Sequence, residues 1–211
     1  IWNTYKDDVI KYADSKSEEN VMKHIVNTAA SFVDQRIKFQ NFGHSNYKSR
    51  EVSKAFNNLD AAKVIQVIYP CTNVEPPILP DYKKSPRLQF LDTGILNFDL
   101  NIQADLLLMK DLSEAYKGAI IPHIINQEVL SLNTTDYKKT NFWVRDKTQS
   151  SAEVDLLIAH GKFLIPIEIK SGKTGSLKSL HQFVNQAPHQ FAVRMYGGKF
   201  NIEETVTPEG K

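Results

Sequence analysis

Residues 153–171 read EVDLLIAHGKFLIPIEIKS, two alternating runs joined at His160-Gly161. The period of two marks a β-hairpin, because successive strand side chains point to opposite faces. With His160-Gly161 as the two-residue turn, Ala159 pairs with Lys162, Glu153 lies opposite Glu168, and Asp155 lies opposite Pro166. One face then carries Val154, Leu156 and Ile158 against Ile165, Ile167 and Ile169. The other carries Glu153, Asp155, Glu168 and Lys170. Upstream, FWVRD at 142–146 adds a third strand, and the helical pattern at 175–183 closes the region.

Like charges facing each other on a sheet destabilise it, so three carboxylates on one small face call for a compensating cation. Asp155 and Glu168 are hard oxygen donors of the kind Mg²⁺ or Mn²⁺ accepts, with the carbonyl of Ile169 beside them. Such a metal polarises a phosphodiester and activates water, while Lys170 orients that water or offsets developing charge. The same alternation also fits a sheet with one solvated face.

Outward from the hairpin, Lys117–Leu132 reads as an apolar helix that tolerates Pro122 only in its first turn. Residues 103–112 read as a shorter helix. Toward the N-terminus, Ser17 reads as an N-cap, and Val21, Met22, Ile25, Val26, Ala29 and Phe32 form one helical stripe. Gly43 and Asn46 mark a turn, Ser49 caps a helix with Val52, Ala55, Phe56 and Leu59 inward, and a strand follows at 64–69. RLQFLD at 87–92 is a returning strand, the proline-rich 70–86 a loop or wing tip, and Asp92-Thr93-Gly94 a turn. Helix, turn, helix, strand is the order of a winged helix-turn-helix. Lys48, Arg50, Lys54 and Asn57 fall on the outer side of its second helix, as DNA contacts or as ordinary solvated residues. Lys173 and Lys178, near a helix start after Lys170, suit a phosphate. The expected fold is α+β, with a winged helix-turn-helix over 1–95 and a second domain over 96–211.

The net charge of +2 lies in residues 1–85, and residues 86–211 are neutral, so the chain has no polybasic arm. Cys71 is the single cysteine, which excludes an internal disulfide and suggests a cytoplasmic setting. The longest apolar runs fall short of a membrane span. The chain opens at Ile1 and stops in a polar EETVTPEGK tail after a strand-like stretch, as a piece of a longer protein does.

The D-x12-E-x-K arrangement resembles the PD-(D/E)xK nuclease superfamily, an α/β restriction-endonuclease-like fold. The wider context of WVRDK at 143–147, IPIEIKSG at 165–172, YKSREVSKAFNNLDAAKVI at 47–65 and FLDTGILN at 90–97 is similar to the C-terminal domain of unknown function of prokaryotic AAA-type ATPases. That resemblance implies DNA as a partner, an ATP-binding module preceding this segment, and no ATP site within it. It also implies a Gly-x-x-x-Glu start to the helix at 117–132, where this chain has Pro122. Glu128, His123 and Gln127 on that helix are the candidates to replace the missing group. A non-catalytic scaffold that docks on the ATPase or on a partner is the alternative.

Overall fold

A computed structural model describes residues 2–108, 120–132, 139–146, 152–170 and 176–211. The chain is mixed α and β and divides into two compact units that interleave in sequence. The first comprises 1–68, 85–110 and 123–128; the second comprises 69–84, 111–122 and 129–211. The sequence suggests one cut near residue 95, whereas the contacts assign 69–84 to the later unit.

In the first unit, helices α1 (Trp2–Val9), α2 (Lys16–Thr28) and α3 (Ser49–Ala61) precede strand β1 (Ile65–Ile68). The N-cap of α2 is Ser15 rather than Ser17, because the Ser15 hydroxyl accepts the Glu18 N–H at 3.2 Å. Lys48, not Ser49, precedes α3, whose entry is closed by Glu51 reaching back to the Lys48 N–H at 2.8 Å. The apolar stripes of α2 and α3 are buried together around Ile25, Phe56 and Leu59. At the turn between them Gly43 has φ +62°, and a Cβ there would stand 2.7 Å from His24 Nε2. Only glycine meets both conditions without strain.

The sheet of this unit pairs β1 antiparallel with β3 (Arg87–Phe90), Ile65 facing Phe90 and Ile68 facing Arg87. Asp92 does not close a turn: it N-caps α4 (Thr93–Asp99), its carboxylate accepting the Gly94 N–H at 2.6 Å. α5 (Gln103–Leu108) follows. The later helix α6 is described over Ile120–Ser131, with Pro122 within the first turn of that span.

The second unit is built on a five-stranded sheet of β2 (Pro70–Cys71), β4 (Asn141–Val144), β5 (Glu153–His160), β6 (Phe163–Ile169) and β7 (Val193–Met195), in that spatial order. Part of the proline-rich loop is therefore a strand, β2, which runs parallel to β4. Helix α7 (Lys178–Gln186) crosses from β6 to β7, which are parallel, as a strand–helix–strand crossover requires. Its Leu180 and Phe183 pack with Trp143, Val154, Leu157 and Leu164 on one side of the sheet. Among the described residues, no helix is long and apolar enough to cross a membrane.

Candidate functional site

The hairpin register differs from the expected one by two residues. His160 pairs with Phe163, Ala159 with Leu164 and Leu156 with Ile167, so Gly161 and Lys162 form the turn. Gly161 takes φ +57°, the conformation that suits glycine at the first central position of a two-residue hairpin loop. A shift of two preserves which face each side chain occupies while changing its partner. Carried past the last ladder pair, this register sets Asp155 against Glu168 and Glu153 against Lys170.

The ladder does not continue that far. The N–H of Ile169 is donated to Asp155 Oδ2 at 2.8 Å, a side chain taking the place of a strand carbonyl. The last β5–β6 ladder pair is Leu156 with Ile167, so regular pairing of the two hairpin strands stops at Asp155. The β4–β5 register also slips here, with Asn141 facing Leu157 but Trp143 facing Val154. The extra residue on β5 is a bulge. It explains how Val154 and Leu157, which strict alternation would separate, join the same cluster under α7. The expectation of one uninterrupted face is corrected accordingly: Asp155 sits at the break, aimed at β6.

Lys170 directly follows β6, and its ammonium is hydrogen-bonded to Glu168 Oε1. Glu168 is 6 % exposed. Asp155 thus reaches the backbone of Ile169, the residue between Glu168 and Lys170. Glu153 begins β5 opposite Val144, and its backbone N–H is donated to Ser179 Oγ at 3.3 Å. Glu128 belongs to the first unit, whereas the hairpin belongs to the second. Among the described residues, no group of three or more His, Cys, Asp or Glu side chains is arranged to hold a metal. The carboxylate pair still suits a hard cation in donor chemistry, since Mg²⁺ is commonly held by one or two carboxylates and keeps several waters.

His123 has a structural role. Its Nε2 accepts the Phe90 N–H at 3.1 Å, so the ring proton lies on Nδ1, 3.3 Å from Thr93 Oγ1. Gln127 Oε1 accepts the Thr93 N–H at 3.1 Å. Burial pushes the His123 pKa down to about 4, against smaller opposing effects from the Phe90 hydrogen bond and Asp92. His123 and Gln127 therefore fasten α6 to β3 and the start of α4. Cys71 is buried in the second unit's core, and burial pushes its thiol up to about 12.

Lys48, just before α3, and Arg50 and Asn57 on it are exposed. Lys54 is committed within the unit: its ammonium lies 2.6 Å from Asp14 and 2.8 Å from Glu18. Those hydrogen bonds raise the Lys54 pKa and lower that of Asp14. Asn58 adds a bond to Glu18 at 2.8 Å. Lys178 is the exposed first residue of α7, and Lys173 lies outside the described residues.

One residue beside the site has no counterpart among the sequence candidates. Arg194 on β7 stands next to Glu168 in the parallel register, its guanidinium 4.8 Å from the Tyr196 ring centroid. The signal was the alternation in AVRMY after a helix, which marks a strand but not the strand it joins.

No curated protein and no solved structure matches the chain. Residues 117–208 match a family model described as Domain of unknown function (DUF4143), and this stretch contains the whole hairpin. A second model covers residues 1–106, half of the chain, and on that match the chain belongs to the family described as Domain of unknown function (DUF8612).

Proposed function

We propose that the second unit is a PD-(D/E)xK nuclease-like module that uses Mg²⁺ or Mn²⁺ to act on DNA phosphodiesters, beside an ATPase module of a longer protein. What supports this reading is that Asp155 takes the Ile169 N–H while Lys170 is bonded to Glu168, on consecutive residues at the end of the β5–β6 ladder. Supporting it, the DUF4143 domain is commonly C-terminal to AAA ATPases. Asp155 and Glu168 would hold the cation, which supplies Lewis-acid polarisation of the phosphate when bound. Lys170, fixed on Glu168, places positive charge where the attacked phosphate gathers negative charge. In the first unit, α2, α3 and the β1–β3 pair serve as a winged helix, with Lys48, Arg50 and Asn57 toward duplex and Lys54 holding α3 in place.

The test is incubation of plasmid and branched DNA with Mg²⁺ or Mn²⁺, comparing wild type with Asp155→Ala and Lys170→Ala. Cutting by wild type alone supports the reading; equal results for all three proteins remove it. A second reading, a non-catalytic scaffold docking on the ATPase or a partner protein, draws on the engagement of Lys54 with Asp14 and Glu18. Calorimetric titration with Mn²⁺ separates the two, because a scaffold has no reason to bind metal through Asp155.

A further inference from the structure

The sheet sets charge in a pattern across three strands. Residues paired in register lie side by side on one face, so Arg194 on β7 flanks Glu168 on the side away from β5. Lys170, just past the end of β6, is bonded to Glu168, and Asp155 reaches β6 from the other side. Two carboxylates and two cationic groups thus make a formally neutral set. Arg194 is half-buried and lies against Tyr196, which restricts where its guanidinium can go. A planar guanidinium is suited to phosphate because it offers paired N–H donors that match two phosphate oxygens.

We infer that Arg194 is a positioning residue of this site that links phosphate binding to the divalent cation. The inference rests on the metal-site reading proposed above. A neutral set has little attraction for a phosphodiester. Adding a divalent ion raises its formal charge to two positive, and the guanidinium then stands beside an anion-attracting centre. Without Arg194 the same set is one unit more negative in both states, so it should favour the cation more and the phosphate less. Opposite effects on the two ligands distinguish this role from a structural one, since damage to the β7 edge weakens both.

The experiment uses the whole chain with Arg194→Gln and Arg194→Lys. Mn²⁺ binding is measured by calorimetry, and binding of a nuclease-resistant phosphorothioate duplex is measured by fluorescence anisotropy with Mn²⁺ or with a chelator. For Arg194→Gln, removal of the nearby positive charge should tighten Mn²⁺ binding roughly three- to tenfold. Loss of a charge-assisted phosphate contact should weaken Mn²⁺-dependent DNA binding by roughly tenfold or more. Arg194→Lys should return Mn²⁺ affinity to the wild-type value and recover part of the DNA affinity. Unchanged binding of both ligands by Arg194→Gln, with wild type binding DNA only in Mn²⁺, overturns the role of Arg194 and leaves the metal site standing. Joint weakening that Arg194→Lys does not reverse also overturns it. A wild-type protein that takes up no Mn²⁺ removes both this inference and the reading beneath it.

Discussion

Asp155 has two roles that one pair of substitutions separates. Its carboxylate accepts the Ile169 N–H at 2.8 Å, and it is one of the two proposed cation ligands. Asp155→Asn keeps an acceptor oxygen of nearly the same reach but no charge. Asp155→Ala removes both. A hydrogen bond to a charged group contributes about 1.5–3 kcal/mol, and a partly buried N–H left without an acceptor costs about 1–3 kcal/mol. The alanine variant should therefore lose about 2 kcal/mol from the second unit, and the asparagine variant about 1 kcal/mol or less. Because the chain holds two units, a single unfolding midpoint would mix them. Hydrogen exchange of the β5 and β6 amides under increasing urea reads the second unit alone. Saturating Mn²⁺ at a hundredfold over its Kd should stabilise wild type by about 2.7 kcal/mol, and neither variant comparably. Equal loss of stability in both variants would refute the assignment of the Ile169 bond. Wild-type-like stabilisation of Asp155→Asn by Mn²⁺ would refute the cation-ligand role.

Two further outcomes follow from the first unit. Glu18 is buried and takes bonds from the Asp14 N–H, Lys54 and Asn58, so Glu18→Ala should cost about 2–3 kcal/mol by stranding those donors. Exposed Arg50→Ala should stay within about 0.5 kcal/mol of wild type, and urea melts followed through the α2 and α3 amides compare the two. His123 has a folded pKa near 4 against 6.5 for a free imidazole, so in that interval the unfolded chain binds the extra proton. Stability is then greatest above pH 6.5 and falls as pH drops toward 4. The loss between pH 7 and pH 5 should be about 2 kcal/mol, and His123→Gln should flatten it; an unchanged profile in that variant would contradict the neutral, buried ring.

The hairpin was legible because strand alternation is local, and the even-numbered error in register left the alternation of β6 intact, but the bulge in β5 put Leu157 beside Val154 under α7 in place of the expected Leu156. HGK allows the glycine to be either turn residue, and only its positive φ with His160 still in the ladder settles which. The bulge also left a trace, Leu156-Leu157, two adjacent apolar residues in an otherwise alternating run. Nothing local announces that Pro70 and Cys71 will lie alongside Phe142 and Trp143. Parallel pairing over such a separation depends on the whole sheet. The same limit applied to Lys54, an exposed helix residue whose partners Asp14, just before α2, and Glu18, on α2, lie far off in sequence, and to Arg194, whose neighbour Glu168 is fixed only by the crossover through α7.

Asp155 and Glu168 do not weigh equally as signs of chemistry. An acidic side chain at 155 has a conformational reason to be there, since the strands separate at that residue and the Ile169 N–H needs an acceptor. Glu168 stands differently. It is 6 % exposed and held by Lys170 two residues on, and removing an ion pair from water costs free energy that an apolar pair of similar size avoids. Folding alone would be served as well by two hydrophobic residues at 168 and 170, which would extend the cluster already formed by Leu164 and its neighbours. The buried charged pair at the end of the ladder is thus costly in desolvation for the fold to keep. The case for metal and phosphate chemistry accordingly rests more on Glu168 and Lys170 than on the aspartate that faces them.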